Sequence, residues 1–485
     1  MSDSAATERP QLFVDGSWRD AHGGSVAVID SATEAVLGHA ALADQSDIDA
    51  AVLAARRALT GPWRTYSPRE RAEVLNAMAS VLKSRAVQTA ELVSRENGMP
   101  IALSLGANGY SPTAIFRYYA NLVAERAEGD VRVGRAGRRT LVQLRPVGTV
   151  AAITPWNYPQ GLAAMKLAPA LAAGCSVVLK PAPETALDAY TFAEAALQAG
   201  LPDGVLNVVP AGREASAYLV AHPGIDKVAF TGSTAAGQEI GAVCGRLLRP
   251  VTLELGGKSA AILSEDADIE VFTQNLLAVS LPNNGQTCHA STRILAPQSR
   301  YSAVVDAVSD TVRGLNIGHP LDHSTEIGPL VSSQHRDRVL AHIDAGLGSG
   351  ARLTTGGHIP RARDTGWYVE PTVFADVDNS AVIAREEIFG PVLCITPYRD
   401  IDDAIALAND SKYGLAATVW TQDESYGVEV AGKIHSGTVG VNYYELEVSA
   451  PFGGVKNSGI GRELGPEGLH AYLQPQSVYL PPTDR

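Results

Sequence analysis

Apolar and polar positions follow two different rhythms along this chain, and the rhythm changes near residue 147. Before that point a hairpin and several amphipathic helices are predicted. In QLFVDGSWRD, Asp15 and Gly16 sit between apolar flanks, a hairpin signal. In SDIDAAVLAARRAL, Ile48, Val52, Ala55 and Leu59 fall on one helical face behind Ser46 as the expected cap. Ser67-Pro68-Arg69-Glu70 is a capping box with proline at the first helical position, opening a helix that reaches Ala79 or Ser84. A further helix ends near Gly98. From 147 onward, apolar runs without alternation (VGTVAAI, SVVLK, VLNVV, KVAFTG, VTLEL) are separated by helical stretches such as PQGLAAMKLAPALAAG and ETALDAYTFAEAALQAG. Strands spaced by helices mean βαβ units and a parallel sheet buried on both faces. After Gly256-Gly257 a second such region runs to about 445, with AAIL, TRIL, PVLCITPY and AATVW as strands and YSAVVDAVSDTVRGL and IDDAIALAND as helices. The fold class is therefore α/β with two sheets. The basic, β-like stretch 128–145 and the alternating tail HAYLQPQSVYLPP belong to neither sheet. They read as protruding strands that pair with another subunit, or as an edge hairpin and a frayed end.

Bulk properties narrow the function classes. The 485 residues carry 39 Lys plus Arg against 52 Asp plus Glu, a net charge of −13, which argues against a phosphate-backbone footprint and hence nucleic acid. The opening MSDSAATERPQ has neither a basic n-region nor an apolar core, so no secretory signal is expected. The weakly polar run 161–179 is interrupted by Lys166 and Pro169 and reads as a buried helix and strand rather than a membrane span. Cys175, Cys244, Cys288 and Cys394 lie far apart, with no CxxC and no His pair at metal spacing. Reduced thiols, a cytoplasmic location and no metal are the expectation.

The chemistry concentrates at a few places. Cys288, in LPNNGQTCHAS, lies among polar residues and glycine, where backbone amides can lower a thiol pKa and hold an oxyanion. The other three cysteines lie in apolar runs and read as small buried hydrophobes. Glu254, in VTLELGGK, is a candidate base. Asn157, in TPWNYP just beyond the first parallel strand, either aims an amide at an oxyanion or closes an Asx turn. Lys180, in VLKPAPET, meets a ribose or phosphate, or is a solvated strand-end lysine. FTGSTAAG is a strand–glycine–helix turn in which Gly232 permits close backbone approach and Ser233 caps the helix. No GxGxxG occurs, and most turns of this kind bind nothing. In REEIFGP, Glu387 and Phe389 fall on one side of an extended segment, suited to ribose hydroxyls and a nicotinamide, or read as a surface acid beside a core aromatic. PFGGVKNSGIGREL walls a tunnel or is a long connection.

Taken in order, TPWNYP, FTGSTAAG, LELGGK, NNGQTC, EEIFGP and PFGGVKNSG resemble the aldehyde dehydrogenase superfamily over residues 10–480. The resemblance implies a Rossmann-like cofactor domain (1–127 and 147–255), a catalytic domain (256–446), an oligomerisation element (128–146 and 470–485) and an active-site wall returning to the cofactor domain (447–469). It makes Cys288 the nucleophile, Glu254 the general base, and Asn157 with the Cys288 N–H the oxyanion hole. The cofactor, NAD or NADP, is assigned to Thr154, Pro155, Trp156, Lys180, Pro183, Gly232, Ser233, Leu255, Gly256, Glu387 and Phe389. Lys166 and Glu463 match positions tied to proton relay in some members. Many NAD-preferring members carry a glutamate where this chain has Pro183, so the choice between NAD and NADP stays open, with Glu184 next door. Coenzyme-A-acylating relatives tend to lack the base matched by Glu254, which favours hydrolysis.

The expected reaction is oxidation of a small-molecule aldehyde to its acid by a homodimer or homotetramer. The rivals are a non-redox thiol esterase and a catalytically silent scaffold. Tyr158, Met165, Leu281, Pro282 and Phe452, with Tyr443, Tyr444 and Leu446 farther on, suggest a medium-sized apolar or aromatic substrate. Glu445 and Glu447 greet a cationic aminoaldehyde or are surface acids.

Overall fold

Two large sheets, both mainly parallel, carry the chain. The computed structural model describes residues 8–126 and 129–481. Residues 1–7 of the leader reading, residue 128 of the basic stretch and residues 482–485 of the tail lie outside the described residues. In the first sheet the strands lie in the order Gly459–Ile460, Val251–Glu254, Lys227–Thr231, Thr149–Ile153, Ser176–Lys180, Leu206–Val208, Gln11–Val14 and Ser17–Asp20. The five from Val251–Glu254 to Leu206–Val208 are parallel, and the outer strands pair antiparallel. The chain runs outward in one direction from Thr149–Ile153 through Ser176–Lys180 and Leu206–Val208, then returns to its other side through Lys227–Thr231 and Val251–Glu254. That reversal opens a crevice at the carboxyl ends of the strands, where such sheets bind ligands. All five residues of Thr149–Ile153, Ser176–Lys180 and Lys227–Thr231 are buried, which explains their unbroken apolar character.

The second sheet has the order Arg352–Thr355, Thr372–Ala375, Val392–Tyr398, Arg293–Pro297, Ala260–Leu263, Ala416–Trp420 and Thr438–Val441, parallel apart from its first strand. The described part of the basic stretch and the tail form a separate three-stranded antiparallel sheet, with Arg139–Pro146 between Gly129–Val133 and Leu473–Tyr479. The tail is thus a paired strand over this range rather than a frayed end. A small sheet of Glu8–Arg9, Val36–Ala41 and Ser25–Ile29 completes the N-terminal part.

Local signals decide most helix ends. The capping box at Ser67 forms, and its helix runs Pro68–Ser84. Gly98, at φ +80, ends the helix Ala86–Asn97 in the left-handed conformation glycine favours. The cap of Gln45–Ala58 is Asp44, not Ser46. The Asp44 carboxylate accepts from Asp47 N at 3.0 Å and Asp47 answers to Asp44 N at 3.1 Å, leaving Ser46 to donate to Asp44 from the first turn. The stretch after Lys180 breaks into a short turn at Pro183–Thr185 and a helix that starts only at Tyr190.

The helix Pro159–Ala173 is buried along its whole length. An ammonium group there needs a partner, because an unpaired buried charge costs several kcal/mol, about 3–5 when a pair is broken. Lys166 on this helix donates to Glu463 Oε1 at 2.7 Å and to Thr231 Oγ1 at 2.6 Å. The pair ties the helix to the C-terminal segment beside Glu254. No helix among the described residues is long and apolar enough to cross a membrane.

Candidate active site

The crevice of the first sheet faces the second sheet and forms a cleft of about 470 Å³. Its lining includes Pro155, Trp156 and Asn157 from the loop after Ile153, Thr231, Gly232 and Ser233 from the next turn, and Leu255 and Gly256 after Glu254. The other lip supplies Cys288, His335, Glu387 and Phe389. Glycine is needed at the crossing. A Cβ on Gly256 would fall 2.3 Å from Glu387 Oε2, and one on Gly257 would fall 2.3 Å from the Cys288 carbonyl oxygen. Gly257 N donates to Glu387 Oε1 at 2.8 Å, so this acid reaches the cleft with its position fixed. Burial pushes its carboxyl up to about 7.

Cys288 follows an unusual turn. Asn283, Asn284 and Gly285 are successive left-handed residues (φ 51, 60 and 77), a conformation that asparagine and glycine tolerate best. The side chains of this turn then build a lattice. Asn284 Nδ2 donates to the carbonyls of Gly98 and Pro329, and Asn284 Oδ1 accepts from Gly328 N. Gln286 Oε1 accepts from Val331 N at 2.9 Å. Half-buried, Cys288 sits at the end of this scaffold. The backbone N–H groups of Cys288 and His289 favour its thiolate, as expected. They do not win: burial, then the carboxylates of Glu387 and Glu254, push the thiol up to about 12. The expected lowering is corrected here, because a thiolate in this cleft loses more hydration than two amides return.

Asn157 is buried and Nδ2 spends one N–H on the Gln286 carbonyl at 3.0 Å, leaving the second for the cleft. Its own carbonyl accepts from Asn97 Nδ2 and Asn283 Nδ2, both at 3.0 Å, and Asn97 also holds the Trp156 carbonyl at 3.0 Å. Asn97 was not expected; it reads in sequence as the end of a helix before Gly98. Behind it lies a buried acid pair, Glu96 and Asp188, with Gln160 donating to Asp188. Burial raises both carboxyls, Asp188 to about 7.

Glu254 ends its strand, 2% exposed, with neither carboxylate oxygen hydrogen-bonded. Burial and then the Glu463 charge hold its carboxyl well above the usual range, while Lys166 and Arg462 pull it back. An orphaned buried carboxylate pays full desolvation, so both oxygens of this one lack the partners that packing alone would give them.

The remaining expected residues fall as follows. Thr154 N donates to Lys180 O at 3.1 Å, below the cleft. Lys180 is buried, and burial lowers its ammonium to about 8, with Glu184 pulling the other way. Glu184, not Pro183, lines the cleft. Ser233 caps the helix Thr234–Arg246 through Ala236 N. On the far side of Cys288, Met165, Tyr158, Leu446 and Phe452 belong to one apolar cluster with it. Tyr158 Oη is tied to Thr287 Oγ1 at 2.7 Å, and Thr287 donates to the Pro282 carbonyl at 2.9 Å. Leu446, Tyr443, Tyr444 and Phe452 line a second cavity of about 750 Å³. Leu281 belongs to a different apolar cluster, against which Tyr444 also packs. It is the C-cap of Ile269–Ser280, and its side chain continues that helix's buried face beside Phe272 and Leu276. His289, also unexpected, stacks on Tyr444 at 4.9 Å.

Comparison with known proteins matches this geometry. A sequence signature described as the aldehyde dehydrogenase family covers residues 18–478. A geranial dehydrogenase of Castellaniella defragrans is 48% identical over 475 residues, 98% of this chain and 99% of the relative. An aldehyde dehydrogenase of Mycobacterium tuberculosis, solved with NAD+, superposes with a TM-score of 0.97 at 45% identity, covering 99% of this chain and 100% of that one. A mutant aldehyde dehydrogenase C of Pseudomonas syringae, solved with NAD+ and octanal, gives 0.95 at 38% identity, covering 100% and 99%. The chain belongs to the aldehyde dehydrogenase family, and its activity is the NAD(P)-dependent oxidation of an aldehyde.

Proposed function

We propose that Cys288 attacks the aldehyde carbonyl, that the Asn157 amide and the Cys288 N–H hold the resulting oxyanion, and that Glu254 activates the water that hydrolyses the thioester. One observation carries this reading. A half-buried thiol lines the cleft, the backbone amides of Cys288 and His289 favour its thiolate, and a neighbouring side-chain amide has one N–H unspent. The bound nicotinamide supplies the hydride acceptor. The cleft fits a dinucleotide: a fixed carboxylate on one lip, a glycine turn and capped helix on the other, and the aromatic rings of Trp156 and Phe389 between. Lys166, Glu463 and Thr231 form a buried hydrogen-bonded group whose charges bear on Glu254 and so tune its readiness to take a proton.

NAD is the preferred cofactor in this reading, because Glu184 lines the cleft beside Lys180 and sets a negative charge where a 2′-phosphate would bring another. The substrate is a medium-sized apolar aldehyde. The hydroxyls of Tyr158 and Tyr444 are both turned into hydrogen bonds with threonines, so these rings offer carbon to the tunnel. The geranial and octanal named for two relatives are of this kind. A second reading, a cationic aldehyde, draws on Glu424, Glu445 and Glu447 around the second cavity, which has no lysine or arginine in its lining.

Val131, Val133 and Tyr479, at 50%, 70% and 83% exposure, leave apolar surface on the three-stranded sheet that supports a homodimer or homotetramer. Four free cysteines support a reducing compartment such as the cytoplasm. The division into cofactor, catalytic and oligomerisation parts at the boundaries given above is kept as part of this proposal. The test is reduced-cofactor absorbance across aliphatic, terpenoid, aromatic and amino-aldehydes with NAD+ and NADP+ in parallel. A ratio kcat/KM that favours apolar aldehydes and NAD+ supports the reading; preference for aminoaldehydes or NADP+ overturns the corresponding half.

A further inference from the structure

Phe389 has φ 62, a left-handed backbone that a bulky aromatic residue adopts only when its surroundings enforce it. The enforcement comes from one helix, Ser333–Gly348. His335 Nε2 bonds the Phe389 carbonyl at 2.7 Å, and one turn later Arg338 donates to the Glu387 carbonyl at 3.0 Å. Spacing of three residues puts both donors on the same face of the helix. The His335 backbone is itself fixed, its N–H donating to the Ser332 cap at 3.1 Å. Burial lowers the imidazole to about 4, so it is neutral at physiological pH and has one N–H to give. The bond to a carbonyl places that hydrogen on Nε2.

The ring of His335 does a second job. It meets the Trp156 ring edge-on at 5.3 Å and the Phe389 ring at 6.1 Å, while Trp156 and Phe389 meet at 5.4 Å. Trp156 rides on the loop that carries Asn157 from the first sheet, whereas His335 and Phe389 belong to the second. The three rings therefore join the two lips of the cleft, with a single histidine touching both sides.

We propose that His335 is a positioning residue for the dinucleotide: by pinning the Phe389 carbonyl and bracing Trp156 it sets the aromatic wall of the cleft. This rests on the cofactor reading of the cleft given above. A variant without the Nε2–H frees Phe389 to relax out of its left-handed backbone, and the wall moves before any ligand arrives. The cost then falls on cofactor affinity rather than on the aldehyde.

The experiment is equilibrium binding of NADH, read by energy transfer from tryptophan to the reduced nicotinamide, with steady-state KM values alongside. His335→Phe keeps a ring and loses the donor; His335→Gln keeps an amide N–H. The expected result is about tenfold weaker NADH binding and a parallel rise in the KM for NAD+ in His335→Phe, roughly the worth of one buried hydrogen bond. The KM for the aldehyde stays within about twofold, and His335→Gln recovers most of the affinity. Should the Phe variant not fold, His335→Asn, whose shorter amide misses the carbonyl, gives the same reading. Wild-type affinity in His335→Phe overturns this proposal alone, as does a loss shared equally by cofactor and aldehyde that Gln does not recover. A wild-type protein that binds no NADH overturns the cleft reading and this proposal with it.

Discussion

Replacing Asn157 by alanine separates chemistry from folding more cleanly than any other change at this site. The side-chain amide has two N–H groups: one goes to the Gln286 carbonyl at 3.0 Å and the other is left unspent on a residue that lines the cleft. Losing the second removes one donor to the developing oxyanion, worth about 2.7–4 kcal/mol in a preorganised site. At about 1.36 kcal/mol per tenfold, kcat/KM for the aldehyde should fall roughly 100- to 1000-fold. Losing the first costs little stability, because the Gln286 carbonyl keeps Asn283 Nδ2 at 3.5 Å and the backbone carbonyl of residue 157 keeps Asn97 and Asn283. One hydrogen bond of about 1 kcal/mol should lower the melting temperature by no more than about 2–4 °C. The assay is initial-rate formation of reduced cofactor at subsaturating aldehyde, with thermal unfolding on the same preparation. A loss in kcat/KM below about tenfold, or one that a collapse in stability accounts for, refutes the oxyanion assignment.

Three further changes probe the electrostatics. Glu184→Ala should raise kcat/KM with NADP+ relative to NAD+ by about tenfold, measured with one aldehyde, since a carboxylate lining the cleft repels a second negative group; an unchanged ratio removes Glu184 from cofactor choice. In the cofactor-free enzyme the iodoacetamide rate at Cys288 should keep climbing through pH 9–10 without a plateau, as expected of a thiol pushed up to about 12, and Glu387→Gln should speed it at pH 8. A plateau below pH 9 contradicts the stated cause. Asp188 has a carboxyl raised to about 7 by burial, so the folded state holds its proton more tightly than the unfolded chain, whose carboxyl titrates near 3.9. The stability this gives is complete below about pH 4 and is lost as pH rises toward 7. Asp188→Asn should therefore gain on wild type in thermal stability between those limits and hold a constant advantage above pH 7; an advantage that shrinks with rising pH has the wrong sign.

How much of this the chain announced depends on how local each signal is. The five parallel strands of the first sheet and four central strands of the second were legible because burial on two faces leaves unbroken apolar runs, whereas Arg352–Thr355, Thr372–Ala375, Thr438–Val441 and Gly459–Ile460 were not read; Glu254 and Lys180 were placed at strand ends because those runs stop there. Cys288 stood out among polar neighbours. The residues that hold it did not. Asn97 looks like an ordinary helix end, and its function is defined by a loop 60 residues away. His335 lies in a polar stretch and takes its meaning from the Phe389 carbonyl, 54 residues on. Leu281 is buried with Phe272 and Leu276 at a helix C-cap, a setting that proximity to Cys288 in sequence does not announce. Ser46 lost to Asp44 because two aspartates three apart make a reciprocal pair that a serine one position into the turn cannot. The rise in the Cys288 pKa was out of reach of the sequence, since desolvation needs the cleft itself.

Glu254→Gln, mixed once with excess NAD+ and a reactive apolar aldehyde and then quenched, puts the whole cycle to trial. The sulfur of residue 288 should carry an acyl group, visible as a mass gain on its peptide equal to the aldehyde minus two hydrogens, with about one reduced cofactor per subunit and slow turnover afterwards. An unmodified peptide after a full burst, or steady turnover as fast as wild type, would contradict a thioester on Cys288 resolved by Glu254.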